Sequence, residues 1–142
     1  MKETVQVLVV CGTNRLLYDH LCLQAADNAL LKVFGFVDDM EELMEVSDLV
    51  IGKGGGLTVA ESLARGKPLI LFQSVPGQEG RNGICVCKYG AGLVAKSLNE
   101  LVNKVSEILD SPEKLETMKQ GVSRMAKPMA SRDILELIQN EC

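Results

Sequence analysis

The chain has 142 residues, of which 46% are hydrophobic and 4% aromatic, and its formal net charge at pH 7 is −4. This length is typical of one domain with a substantial core. An acidic chain with few aromatic residues and no run of lysine or arginine is a poor nucleic-acid binder. No apolar run approaches the ~20 residues that a membrane-spanning helix needs, and Glu3 and Gln6 interrupt any signal peptide. We therefore expect a soluble cytoplasmic protein with no nucleic-acid partner.

The five cysteines are an odd number and have no spacing typical of a disulfide framework. Cys85 and Cys87 are too close together for a CxxC pair, and His20 is the only histidine. We interpret the cysteines as buried, reduced thiols, which suit a reducing compartment. The sequence thus predicts no bound metal and no cofactor.

Short apolar runs alternate with helical patterns along the chain, which is the order of an α/β fold. The predicted strands are Val5–Cys11, Leu31–Val37, Asp48–Gly52, Leu69–Phe72 and Gly92–Ala95. The predicted helices are one carrying Leu16 to Ala25, a short one from Asp38, Leu57–Arg65, Gly80–Tyr89, and C-terminal helices from about residue 97 capped by Ser97, Ser111 and Ser131.

This alternation implies parallel strands joined by right-handed crossovers, with helices on both faces of the sheet. We predict a single Rossmann-like domain over residues 1–142, whose first strand is buried on both faces. Ligands of such sheets bind at the carboxyl ends of the strands. Gly12, Val37, residues 52–56 and residues 74–78 follow predicted strands, so we expect them to share one rim.

Four glycines occur within residues 52–56, just before the helix that opens with Leu57, Thr58 and Val59. A helix N-terminus presents backbone N–H groups and the positive end of the helix dipole to an anion. Glycines allow the close approach of a bulky ligand, and we expect a positive φ at Gly55. The pattern matches neither a Walker A loop nor the dinucleotide-binding fingerprint. It predicts a nucleotide-diphosphate site, with a purely structural turn as the alternative.

Residues near this loop suit the other parts of a nucleotide. Lys53 could offset phosphate charge or be merely solvated, and Thr58 could bind a phosphate oxygen or simply start the helix. Glu61 lies one turn into the helix, where its carboxylate could accept hydrogen bonds from a ribose diol. Phe36 and Val37, at the end of the second predicted strand, are core residues whose backbone could also bond a nucleobase.

A second polar cluster follows the fourth predicted strand. Pro76 and Gly77 form a turn, and Gln78, Glu79 and Asn82 follow at the start of a helix. Glutamine and glutamate suit sugar hydroxyls, which both donate and accept hydrogen bonds. The alternative is an ordinary polar first turn. No Ser/His/Asp, Cys/His or paired-acid arrangement indicates hydrolysis.

Residues 54–61, 67–72 and 76–79 together resemble the nucleotide-sugar half of family 28 glycosyltransferases. The Pro-Gly-Gln-Glu sequence at 76–79 is similar to that of the diacylglycerol glycosyltransferases. The Leu-Thr-Val-x-Glu sequence also resembles the lipid II-forming N-acetylglucosaminyltransferase. The resemblance runs from Val5 to about Leu137 and implies the C-terminal, donor-binding half of a GT-B fold.

The resemblance implies a role for each matching residue. The glycine loop and the helix start would hold the diphosphate of a UDP-sugar, Glu61 the ribose, Phe36 and Val37 the uracil, and Gln78 with Glu79 the sugar. The residues expected to contact the UDP-sugar are Phe36, Val37, Lys53, Gly54, Gly55, Gly56, Leu57, Thr58, Glu61, Pro76, Gly77, Gln78, Glu79 and Asn82.

The implied activity is the metal-independent, inverting transfer of a hexose to a membrane lipid such as diacylglycerol. The acceptor-binding N-terminal domain of such enzymes is not in the sequence, so we expect the chain alone to be inactive and the full-length protein to lie at the membrane periphery. Two alternatives are a stand-alone donor-binding subunit that recruits a membrane partner and a GT-B-like UDP-sugar epimerase.

The first strand–helix unit of the donor half is also missing on this alignment, because Val5–Cys11 matches the second strand of the family. That strand and the strand ending at Gly52 would lose their common neighbour. Apolar strands with unpaired edges invite pairing. We expect either direct pairing of the two strands or a homodimer through the exposed edges.

Overall fold

A computed structural model describes residues 5–72 and 76–141. These residues form two compact units, one ending at Leu43 and one beginning at Met44. Both units combine parallel strands with helices, which confirms the predicted α/β class.

The first unit is a strand–helix–strand motif. Strand β1 (Val7–Val10) is followed by helix α1 (Arg15–Ala25) and strand β2 (Leu31–Phe34). The two strands are parallel, with Val7 opposite Leu31 and Val10 opposite Phe34. Helix α1 begins where the side chain of Asn14 accepts a hydrogen bond from the backbone N–H of Leu17 at 3.1 Å.

Both strands of this unit differ from their predicted extents. Strand β1 is shorter than Val5–Cys11 because its partner offers only four paired residues. Its predicted burial on both faces was wrong, since Val7 is 48% exposed. Strand β2 ends at Phe34, so Phe36 and Val37 lie in the bend that follows the strand.

The second unit has three strands and several helices. After helix α2 (Met40–Glu45), which spans the boundary of the units, the elements alternate: β3 (Val50–Gly52), α3 (Gly56–Ala64), β4 (Leu69–Phe72), α4 (Gln78–Lys88) and β5 (Gly92–Ala95). Helices α5 (Leu98–Leu109), α6 (Pro112–Met125) and α7 (Ala130–Glu141) follow. The strands are parallel in the order β3-β4-β5.

Strand β4 is the centre of this unit, and its alternating side chains divide the core. Leu69 and Leu71 pack with side chains of α3 and α4 in one cluster, and Ile70 packs with α5 in another. Helix α6 contributes Val122 to the first cluster and Met118 to the second. The three strand residues are fully buried, and each contributes about 1.5–3 kcal/mol to folding. Helices therefore cover both faces of this sheet, as predicted.

The end of α3 fixes where β4 begins. Gly66 has a φ of +72° and donates its N–H to Leu63 O, while the N–H of Lys67 bonds Ser62 O at 2.8 Å. This pair of bonds is the Schellman motif, and it favours glycine at the left-handed position. The chain then turns directly into the buried strand.

The described strands form two sheets, β1-β2 and β3-β4-β5. Strand β1 pairs with β2, and strand β3 pairs with β4. Direct pairing between the first strand and the strand before the glycine loop, and the alternative homodimer, both stay predictions.

Helix starts were predicted with mixed success. The oxygen of Ser97 caps α5 by accepting from the Glu100 N–H at 3.2 Å, as expected. Helix α4 begins at Gln78 instead of Gly80, because Gly77 acts as its N-cap. Ser131 lies inside α7, which starts one residue earlier, so its predicted capping role was wrong.

Candidate functional site

The glycine loop leads from β3 directly into the N-terminus of α3. Gly55 is the N-cap, and its carbonyl accepts the first helical hydrogen bond from the Val59 N–H at 3.0 Å. The N–H groups of Gly56, Leu57 and Thr58 precede that bond, so they are not used inside the helix. Gly55 makes no side-chain cap. The helix start therefore offers several backbone donors in one place.

The faces of α3 separate the core from the candidate ligand residues. Val59 and Leu63 are buried against the sheet, and Ser62 is buried beside Met44. Glu61 is exposed, and Leu57 is 79% exposed. The methyl group of Thr58 packs near Gly52, because a Cβ added at that glycine would lie 3.7 Å from it. Glu61 is thus accessible to a ligand at the start of this helix.

A second helix start lies beside the first. Gly77, with φ 110° and ψ −127°, is the N-cap of α4, and its carbonyl accepts from the Arg81 N–H at 3.0 Å. This backbone conformation is accessible essentially to glycine alone. The N–H groups of Gln78, Glu79 and Gly80 therefore precede the first bond inside α4.

One hydrogen bond and one close approach connect the helix starts. The side-chain amide of Asn82 donates a hydrogen bond to Gly54 O at 2.7 Å. A Cβ added at Gly56 would lie 3.6 Å from Nε2 of Gln78. The predicted proximity of the glycine loop and the Pro-Gly-Gln-Glu segment is confirmed within the second unit.

Charged side chains of both signs surround this region. Lys53 lies in the loop and is exposed, as are Glu61 on α3 and Arg81 on α4. Glu79 is half-buried in the first turn of α4, and Pro76, in the turn before the helix, is exposed. The site therefore combines cationic groups and helix N-termini with carboxylates suited to hydroxyl groups.

Phe36 and Val37 belong to the first unit. Phe36 is 70% exposed, and Val37 is half-buried. Phe36 is therefore a surface residue and not the core residue that the sequence suggested. The preceding Gly35 lies beside the ring of Tyr18, because a Cβ added there would be 3.9 Å from two ring carbons.

One prediction about the site was wrong, one stays a prediction, and one concerns residues outside the described ranges. The φ of Gly55 is −62°, so the expected positive φ was wrong, and an added Cβ there would meet nothing within 4 Å. One amide N–H of Asn82 bonds the glycine loop, and the ligand contact of this residue stays a prediction. Ser74, part of the predicted rim, lies outside the described residues.

Sequence reasoning missed the hydrogen bond of Asn82 and the unusual backbone of Gly77. The Pro-Gly pair signalled a turn but not its φ of 110°. The bond joins residues 28 positions apart, and no local pattern encodes such a partner.

An open groove of about 560 Å³ lies between α4 and β5. Its lining comprises Gly80, Gly83, Ile84, Cys87, Lys88, Val94 and Lys96. None of the predicted ligand residues lines it. Partial desolvation raises the pKa of the Cys87 thiol, but Cys85 and Cys87 are exposed residues and not the buried thiols that the sequence suggested. The groove is therefore a separate feature from the paired helix starts.

Within residues 5–72 and 76–141, no helix is both long enough and apolar enough to cross a bilayer. In the same part of the chain, histidine, cysteine, aspartate and glutamate side chains form no cluster of three that could hold a metal ion.

The paired helix starts at the carboxyl ends of β3 and β4 are the arrangement expected of a nucleotide-binding α/β domain. The model of the glycosyltransferase family 28 C-terminal domain matches residues 1–136, so the chain belongs to this family.

Curated relatives specify the family further. The chain is 39% identical over 137 residues to a processive diacylglycerol beta-glucosyltransferase of Bacillus pumilus strain SAFR-032, a match that covers 96% of the chain and 36% of that protein. It is 37% identical over 140 residues to the enzyme of the same name from Bacillus subtilis strain 168, covering 98% and 37%. The chain thus spans little more than a third of the length of these relatives.

Solved structures support the fold. Acinetobacter baumannii MurG superposes with a TM-score of 0.79 at 22% identity, covering 99% of the chain and 42% of MurG. Anabaena Alr3699/HepE, solved in complex with UDP, gives a TM-score of 0.65 at 19% identity, covering 96% and 41%. At these identities the likeness concerns the fold alone.

Proposed function

We propose that this chain is the UDP-sugar-binding domain of an inverting hexosyltransferase that acts on a membrane lipid such as diacylglycerol. The observation that carries the proposal is the convergence of two helix N-termini, α3 and α4, joined by Asn82–Gly54 and by Gly56 beside Gln78. Family membership and the names of the relatives support the proposed substrate class.

The diphosphate is the part of the ligand that the two helix starts suit best. Backbone N–H groups of Gly56, Leu57 and Thr58 point out of the helix end, and the dipole of α3 favours a negative charge there. Gly55 has open space where a side chain would otherwise stand. Lys53 is exposed, precedes the glycines in sequence and adds a positive charge.

The remaining parts of the donor follow from the resemblance. Exposed Glu61 accepts hydrogen bonds from the ribose hydroxyls. Gln78 and Glu79, in the first turn of α4, bind hydroxyls of the sugar. The backbone of Phe36 and Val37 bonds the edge of uracil. Each of these roles is part of the proposal.

In the proposed reaction, a hydroxyl oxygen of the lipid attacks the anomeric carbon from the side opposite UDP. The bond between that carbon and the β-phosphate oxygen breaks, its electron pair stays on UDP, and the hydroxyl proton passes to a base in the acceptor-binding part of the full-length protein. The helix starts stabilise the charge that grows on the departing diphosphate. This chain therefore supplies donor binding and leaving-group stabilisation.

Calorimetric titration with UDP, UDP-glucose, UDP-galactose and ADP tests the proposal. We expect saturable one-to-one binding of UDP and of at least one UDP-sugar. ADP should bind at least about 10-fold more weakly, because its larger base cannot make the same edge hydrogen bonds. Equal affinity for UDP and ADP, or no binding of UDP at millimolar concentration, would overturn it.

A further inference from the structure

The open groove between α4 and β5 lies on a different face of α4 from the candidate donor site. Residues three or four apart share one face of a helix. Gln78 and Asn82 approach the glycine loop, whereas Gly80, Ile84 and Cys87 line the groove. Strand β5 pairs only with β4 among the described strands, so it is an end strand of its sheet. The groove therefore lies at a sheet edge, outside the proposed UDP-sugar site.

The floor of the groove is apolar. Gly83 is buried, and a Cβ added there would lie 3.0 Å from Cγ2 of Val94, so α4 packs closely against β5. Ile84 borders the floor with 69% of its surface exposed. The groove has a volume of about 560 Å³. An isoleucine exposed to this extent beside an apolar floor is stabilised when an apolar group covers both.

Lysines flank this apolar floor. Lys88, at the end of α4, and Lys96, just after β5, are exposed and line the groove. Within residues 5–72 and 76–141, neither ammonium group has a hydrogen bond or an ion pair. Lys104 lies near the Cys87 thiol and pairs with the carboxylate of Glu100 at 3.1 Å. This edge is therefore locally cationic, although the whole chain has a formal charge of −4.

An apolar floor between cationic groups is complementary to an anionic amphiphile. A small hydrated anion would leave the apolar floor uncovered, and an uncharged apolar ligand would leave the two ammonium groups without a counter-charge. A bilayer of acidic phospholipids offers acyl chains and negative head groups side by side.

We infer that this groove docks on the surface of a bilayer that contains anionic phospholipids. Ile84 enters the boundary between head groups and acyl chains, and Lys88 and Lys96 contact head-group phosphates. The inference rests on the proposed function, in which the acceptor is a membrane lipid, and it adds the surface by which this domain contacts the membrane.

Vesicle co-sedimentation of residues 1–142 tests the inference. Vesicles of phosphatidylcholine mixed equally with phosphatidylglycerol should bind the chain, and vesicles of phosphatidylcholine alone should bind it at least about 10-fold more weakly. Ile84→Ser should weaken binding to the mixed vesicles about 10-fold, because apolar burial is lost. Lys88→Gln and Lys96→Gln should each weaken it about 5-fold, and added salt should weaken it further.

Matched controls change the same residue types outside the groove. Val102→Ser, at a position 60% exposed on α5, is the control for the isoleucine, and Lys127→Gln, at an exposed lysine, is the control for the lysines. Neither should change vesicle binding. Thermal melts should show all these variants folded, because the replaced side chains are exposed.

Several outcomes would overturn the inference. These are equal binding to the two kinds of vesicle, no binding to either, and equal effects of groove and control substitutions. A dimer without vesicles that Ile84→Ser dissociates would assign the groove to a second copy of the chain. Aggregation of the lysine variants with unchanged vesicle binding would mean that Lys88 and Lys96 only protect an edge strand from pairing.

UDP titration of the same proteins separates this inference from the proposed function. The groove variants should bind UDP as the wild type does, because the groove and the helix starts are separate. Vesicle binding by a wild type that binds no UDP would refute the proposed function and leave the membrane surface standing. UDP binding by a wild type that binds no vesicles would remove the membrane surface alone.

Discussion

At the scale of single residues, Glu61 is the side chain most open to a direct test. It is exposed on the face of α3 opposite the core. Glu61→Ala should lower UDP affinity by roughly 1.5–3 kcal/mol, the usual range for hydrogen bonds to a charged group. Calorimetry measures the loss, with Glu116→Ala at an exposed position of α6 as the control. Unchanged UDP affinity in a folded Glu61→Ala protein would exclude the ribose role.

Replacing Gly55 by alanine tests whether the loop needs glycine to leave space for a ligand or to adopt an unusual backbone conformation. Its φ of −62° suits alanine, and the added Cβ would meet no protein atom within 4 Å. Gly55→Ala should therefore cost at most ~1 kcal/mol of stability, the range for a changed N-cap, yet weaken UDP binding strongly by filling ligand space. A thermal melt and a UDP titration on one sample check both parts. Normal UDP affinity would leave the glycines as a structural turn.

At the scale of elements, the start of α4 depends on one glycine. Gly77 has φ 110° and ψ −127°, so Gly77→Ala should destabilise the protein by about 1–3 kcal/mol through backbone strain. Gly55→Ala is the matched control, since its φ suits alanine. Chemical denaturation gives both values. Equal stability of the two variants would show that Gly77→Ala introduces no backbone strain.

A carboxylate in the first turn of α5 should make the stability of the protein depend on pH. The backbone N–H of Lys96 donates to Glu100 at 2.9 Å, and this bond, with Lys104 beside it, lowers the pKa of the Glu100 carboxyl below its usual value. A lowered pKa in the folded state stabilises the protein above the unfolded pKa, near ~4.3. That stabilisation is lost as pH falls through the folded pKa.

Glu100→Gln should therefore show a flatter loss of stability between about pH 5 and pH 3 than the wild type. Denaturation at several pH values measures the slopes. An unchanged acid slope would mean that Glu100 does not contribute.

Elements with local signals were the ones that the sequence predicted well. The bounds of β4 and β5 were predicted from short apolar runs between turn residues, and the structure confirms both. The capping role of Ser97 was predicted correctly, because an N-cap and its partner lie only three residues apart. The end of β2 was predicted wrongly, because the extent of a strand depends on pairing with a partner strand, which only the fold supplies.

In the candidate site, too, features that follow from general rules were predicted, and features that depend on distant partners were not. Rules for parallel sheets predicted that the glycine loop and the segment after β4 would meet, and Gly56 does lie beside Gln78. The φ of Gly55 could not be predicted, since glycine adopts either sign with similar ease. Nor could the bond of Asn82, which depends on how α4 is rotated against the loop.

For the molecule as a whole, the chain corresponds to one domain of longer relatives. It matches the C-terminal domain of family 28 and spans about 36% of its Bacillus pumilus relative. The proposal assigns donor binding to this part and acceptor binding to the remainder of the full-length protein. On this proposal, glycosyl transfer needs both parts, whereas UDP binding should be measurable with residues 1–142.

A crystal structure of residues 1–142 with UDP would show whether the glycine loop and the start of α3 bind the diphosphate. We predict that diphosphate oxygens lie within about 2.7–3.2 Å of backbone nitrogens at the start of α3, among Gly56, Leu57 and Thr58. The ribose should lie beside Glu61. UDP bound away from both helix starts at saturating concentration would contradict the account.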